Sequence, residues 1–149
     1  MGAGSSGMST PQRYQAIGSV RAGGAGRLQA HGLDAEFDGT TGRLEDLPGP
    51  ADVLSAALCA CILKNVERFS QMLPFRYESA SVEVTAEREG PPPRIVRMSY
   101  HLRVVTDETP ARLELLHKNI RKFGTITNTL AAACELTGTI EAVAPGGAP

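Results

Sequence analysis

Between Pro48 and Leu73 the chain reads PGPADVLSAALCACILKNVERFSQML, and no other stretch limits the possible folds as much. Its prolines suit the opening of a helix, where a missing N–H costs nothing. From Val53 to Leu63 it is apolar on almost every side. Through and past Lys64 the apolar residues Ile62, Val66, Phe69 and Leu73 stand at i, i+4, i+7 and i+11, one stripe of a helix lying on something flat. The spacing predicts a helix from Pro50 to Met72, stopped by Pro74. A helix apolar all round belongs in a core. Cys61 sits in that apolar half, and its thiol is the most reactive group there.

The flanking sequence supplies what could cover such a helix. From Arg13 to Phe37 short segments are broken by glycine, which predicts two or three short strands turning at Gly23, Gly24 and Gly26. Asp38 to Pro50 carries too much turn chemistry for an element and reads as a loop. After the helix, Val82, Val84 and Ala86 alternate with polar residues, as do Met98, Tyr100, Leu102 and Val104. This is a hairpin with one wet face, connected through the proline-rich Glu89 to Arg94. Thr109 and Pro110 are a cap and first-turn pair for a second helix, with Leu113, Leu116 and Ile120 on one face. A third helix, capped by Thr125 or Thr127, is expected to end at Gly138, and a last strand to run from Thr139 to Val143. The order predicts an α+β fold: a long buried central helix packed with antiparallel sheets.

With 149 residues the chain is long enough for one domain with a real core but not for two. Residues 11–144 are expected to form that domain. Residues 1–10, with a second start at Met8, read as a leader left from expression, and residues 145–149 as a flexible tail. The net charge of −1, spread over scattered groups, argues against nucleic acid as a partner. No apolar run reaches membrane-spanning length, so no membrane partner and a cytoplasmic location are expected. Three cysteines without framework spacing fit a reducing compartment.

Few motifs carry chemistry. Cys59 and Cys61 point about 200° apart on a helix and cannot clasp one metal. Neither Cys134 nor His31, His101 and His117 completes a zinc spacing, so no metal is expected. There is no phosphate loop, dinucleotide fingerprint or G-x-S-x-G, and no cofactor is expected. Each histidine reads as an ordinary surface or strand residue, His101 on the polar face of its strand. Composition alone makes Cys61 a small buried hydrophobe.

The segment GPADVLSAALCAC resembles the helix opening of the OsmC/Ohr family, the osmotically inducible and organic hydroperoxide resistance proteins. Pro50, Leu54, Ala56 and Cys61 are the proline, leucine, alanine and cysteine that carry the likeness to its N-P-E-x-L-x-A-A-x-x-A-C pattern. GTITNTL, from Gly124 to Leu130, is similar to its second motif, C-P-x-S-x-x-L, and the hairpin lies between the two as it does in the family. The resemblance covers about Arg27 to Ala142. It implies an OsmC-like fold, an intertwined homodimer and thiol peroxidase chemistry. A thiolate attacks the O–O bond of an organic hydroperoxide, becomes a sulfenic acid and is returned by thiols.

Carried over by position, Cys61 is the attacking thiol. Arg43, in GRLED, is similar to the cation that holds the thiolate, with Arg21 and Arg27 flanking a second arginine position. The family's orienting glutamate is Ala51 here, and Asp52 is the nearest substitute. The resolving cysteine falls at Gly124. Cys134, roughly 15 Å further along a helix, cannot replace it. Two functions follow as alternatives: reduction of a small hydroperoxide with an external thiol as reductant, or binding of a small apolar ligand in an interface pocket left smaller and less charged by Ala51 and Gly124. A purely structural role has the absence of a complete catalytic set as its warrant. The long apolar helix itself argues for a dimer, unless the chain's own sheets and helices cover it.

Overall fold

The computed structural model describes residues 10–146, so all but the last residue of the expected leader and the last three of the expected tail lie outside the described residues. The chain falls into two compact units, one ending at Pro50 and the other beginning at Ala51.

The first unit is a three-stranded antiparallel meander, β1 (Ile17–Val20), β2 (Ala25–Ala30) and β3 (Leu33–Asp38), in that spatial order. Gly23 and Gly24, with φ of 102° and 106°, make the β1–β2 turn in a backbone region that side chains disfavour. Gly26 proves to be a strand residue, and Phe37 explains its glycine: a Cβ there would meet the ring at 2.5 Å. Beyond β3 the loop is organised by Asp38. Its carboxylate accepts from the Thr40 hydroxyl at 2.6 Å and from the backbone N–H groups of Thr40 and Leu44 at 2.9 and 2.8 Å. The Thr40 hydroxyl, then the two amides, holds this carboxyl below its usual range.

The second unit holds the core. Helix α1 runs over Pro50–Met72, the limits its prolines and Pro74 predict. The hairpin follows as β4 (Ser79–Glu89) and β5 (Arg94–Val105), with Val82 opposite Leu102, Val84 opposite Tyr100 and Ala86 opposite Met98. Helix α2 (Pro110–Phe123) opens with the Thr109 hydroxyl accepting from Arg112 N. The Arg112 guanidinium also reaches back to the carbonyls of Leu73 and Pro74, which closes the end of α1. A short α3 (Thr125–Ala131) and β6 (Glu135–Val143) complete the unit.

Two expectations change here. The third helix stops at Ala131 rather than at Gly138, and Gly124, not a threonine, caps it without a side-chain bond. Gly138 lies inside β6, which pairs with β5 in parallel, whereas the other described strand pairs are antiparallel. The α2–α3 segment is the crossover that a parallel pair needs. Gly138 is opposite Tyr100, and a Cβ there would lie 2.0 Å from the ring.

The core gathers Leu58, Ile62, Val66 and Phe69 of α1, Met98, Tyr100, Leu102 and Val104 of β5, and Leu113, Leu116 and Ile120 of α2. Burial on α1 follows one stripe, Leu58, Cys61, Ile62, Asn65, Val66, Phe69 and Ser70, rather than the whole apolar half. Leu54 and Leu63 are half-buried against the same core, whereas on the other side Val53 and Ala57 are half-buried and Ala56 and Ala60 are exposed. Among the described residues no helix is long and apolar enough to cross a membrane.

Candidate functional site

Cys61 lies on the buried stripe of α1 with 9% of its surface exposed. Helical spacing places Asn65 one turn on, and its Nδ2 donates to the Cys61 carbonyl at 2.8 Å and approaches Sγ at 3.7 Å. From the other side comes Thr127 of α3, with Oγ1 3.8 Å from Sγ. Both residues are buried, at 7% and 4% exposure. The sulfur therefore sits between an amide N–H and a hydroxyl, two groups that can donate to a thiolate or to an oxygen bound to it.

The third neighbour is Gly124, the residue between α2 and α3. A Cβ built on it would be 3.0 Å from Cys61 Sγ and 2.8 Å from Thr127 Oγ1. Its φ of −74° suits any residue, so close packing and not backbone strain distinguishes this position. A disulfide places each Cβ about 3 Å from the opposite sulfur, given an S–S bond of about 2.05 Å. Position 124 thus stands where a cysteine could bond to Cys61.

The other thiols are placed differently. Cys59 is half-buried about 200° round α1 from Cys61, and burial pushes its thiol up. Cys134 donates to the Leu130 carbonyl at 3.4 Å. Asp52 is exposed in the first turn of α1, where a negative charge favours the helix dipole. Arg43 is exposed in the first unit, in the loop that Asp38 ties down through Thr40 and Leu44. Arg27, also in the first unit, is paired with Asp34 at 2.8 Å. Among the described residues, the hydrogen-bond partners of the Cys61 sulfur are Asn65 and Thr127, which the sequence reading did not single out. Asn65 was visible as a polar residue one turn from the cysteine. Sequence alone offers Thr127 as a helix cap, because only the fold brings α3 against α1.

The histidines divide. His31 is exposed at the β2–β3 turn, and His101 bonds to Thr139 and Glu141 on the wet face of the sheet at 2.6 Å each. His117 departs from the surface expectation: it is buried, with Nε2 2.7 Å from the Tyr100 hydroxyl. Burial pushes the tyrosine up to about 12, and burial, then Arg121, pushes the histidine down. Among the described residues no three His, Cys, Asp or Glu side chains are grouped to hold a metal.

Comparison with known proteins supplies the family. No curated protein matches the chain. Among solved structures it is similar to an OsmC-like protein of Mycoplasma pneumoniae, with a TM-score of 0.79 at 14% identity over 91% of this chain and 99% of that one. An OsmC-like protein of unknown function from Vibrio cholerae gives 0.77 at 15% identity over 88% and 100%. An organic hydroperoxide resistance protein of Legionella pneumophila gives 0.71 at 14% over 88% and 99%. These likenesses establish the fold, α+β and OsmC-like. The OsmC-like protein family profile matches residues 43–138, which include Cys61, Asn65, Gly124 and Thr127, and the chain belongs to that family.

Proposed function

We propose that this protein reduces organic hydroperoxides, with Cys61 as the attacking thiol and an external thiol as reductant. The observation that carries the reading is the contact between Cys61 and residue 124. The sequence resemblance assigns these two positions to the reacting pair of cysteines, and a Cβ at 124 falls 3.0 Å from the Cys61 sulfur. In the proposed step the Cys61 thiolate attacks the terminal peroxide oxygen. An S–O bond forms, the O–O bond breaks, and the alkoxide leaves and takes a proton to become an alcohol. Asn65 and Thr127, at 3.7 and 3.8 Å from Sγ, supply the donors that hold charge during this exchange. Because residue 124 is glycine, the resulting sulfenic acid is resolved from outside the chain.

The proposal includes a homodimer. Val53 and Ala57, with the exposed Ala56 and Ala60, form a second apolar stripe on α1 that a partner would cover. Sedimentation at micromolar concentration tests it, and a monomer would count against it.

Turnover of an organic hydroperoxide with excess thiol tests the activity. Cys61→Ser is expected to abolish it, whereas Cys59→Ser and Cys134→Ser retain it. Full activity in Cys61→Ser would reject the proposal.

A further inference from the structure

The outer side of α2 is not used by the chemistry above. Glu114, His117, Lys118, Arg121 and Lys122 line an open groove of about 650 Å³ there, within the range of small-ligand sites. Three cations face one carboxylate, in a chain whose net charge is −1. Lys122 lies over the Phe123 ring, and among the described residues neither Lys118 nor Arg121 makes an ion pair. Arg121 and Lys122 complement the helix dipole. Lys118 is a turn earlier and has no such explanation.

The groove has a fixed floor and a direction. His117 is held by the Tyr100 hydroxyl at 2.7 Å, and Tyr100 packs on Gly138. Along α2, His117 and Arg121 lead in successive turns to Gly124, which abuts the Cys61 sulfur. Arg121 precedes Gly124 by three residues, about 4.5 Å of helical rise.

We infer that this groove binds the carboxylates of a small anionic thiol and that this thiol is the reductant for Cys61. The inference rests on the peroxidase reading and names its second substrate. The thiol sulfur attacks the Cys61 sulfenic sulfur. An S–S bond forms, the S–O bond breaks, and the hydroxide leaves with the thiol proton as water. A second thiol attacks the mixed disulfide, which releases a small disulfide and returns Cys61 as a thiol. A carboxylate held at Arg121 leaves the attacking sulfur one helical turn short of Gly124, and Lys118 and Lys122 draw the anion to that end of α2.

Glutathione and its diethyl ester separate charge from thiol chemistry. The test uses Cys59→Ser/Cys134→Ser protein treated with one equivalent of cumene hydroperoxide, and dimedone labelling records the sulfenic acid before any thiol is added. Glutathione is expected to consume it about tenfold faster than the ester at low salt, in line with electrostatic steering. That ratio falls towards unity at high salt, in Lys118→Ala/Arg121→Ala/Lys122→Ala, and partly in the single Lys118→Glu. Equal rates for the two thiols in protein with an intact groove would overturn the inference. A protein that never takes up dimedone would instead overturn the peroxidase reading beneath it.

Discussion

Gly124 and Cys61 stand at bonding distance for a disulfide: the missing Cβ of one lies 3.0 Å from the sulfur of the other. Gly124→Cys is therefore expected to close a disulfide between the introduced thiol and Cys61 on mild oxidation. Intact mass would show the loss of two hydrogens, and melting would show about 2–4 kcal/mol of added stability over the same variant in its reduced form. Gly124→Val, which presses on the sulfur and on Thr127, is expected to cost about 1–3 kcal/mol. An introduced thiol that stays free beside a free Cys61 would contradict the geometry.

Thr127→Val keeps the shape of the side chain and removes the hydroxyl that faces Cys61 at 3.8 Å. If that hydroxyl donates to the thiolate, its net worth of about 1 kcal/mol corresponds to about a fivefold slower alkylation of Cys61 at neutral pH. Circular dichroism would confirm the fold. An unchanged rate would assign Thr127 to packing alone.

Tyr100 packs against Gly138 on the neighbouring parallel strand, where a Cβ would come within 2.0 Å of the ring. Gly138→Ala must displace a ring that is also bonded to His117. A loss of about 1–3 kcal/mol or more is expected in denaturant unfolding. Gly146, where a Cβ has nothing within 4 Å, serves as the comparison, although its φ of 93° adds some strain for alanine.

The buried His117 sets a pH dependence. Its proton is bound more weakly in the folded chain, because burial and Arg121 oppose the charge more than Glu114 favours it. The unfolded chain then carries the extra proton once pH falls below about 6.5, and stability declines from that point down to the folded value. Above that window the group contributes no slope. His117→Gln, which does not titrate yet can bond to Tyr100, is expected to flatten the decline in melting temperature between neutral and mildly acid pH. Glu67 and Glu141, both lowered by hydrogen bonds, act only below their ordinary 4.5. Parallel pH profiles for the two proteins would contradict the assignment.

The parts of this fold that local chemistry decides could be read from the sequence. Pro50 and Pro74 bracket α1, Thr109 caps α2, and strict alternation marks β4 and β5. Gly138 misled because glycine serves two purposes, ending helices and admitting a ring, and only the strand pairing with Tyr100 distinguishes them. For the same reason α3 is shorter than its run of alanines suggests. The Cys61 site was half legible: the cysteine and position 124 came from a motif, whereas Thr127 depends on how α3 meets α1. His117 has the helical phase of a core residue, beside Leu113, Leu116 and Ile120, and that phase was the missed signal of its burial.

The most direct measurement is site-specific oxidation of the thiol. Cys59→Ser/Cys134→Ser protein is treated with one equivalent of organic hydroperoxide, trapped with dimedone and mapped by peptide mass spectrometry, with hydrogen peroxide as the comparison. The account predicts rapid addition of one oxygen at Cys61, trapped as a single dimedone adduct, and faster with the organic peroxide. A Cys61 that stays a thiol while the hydroperoxide remains unconsumed would contradict it.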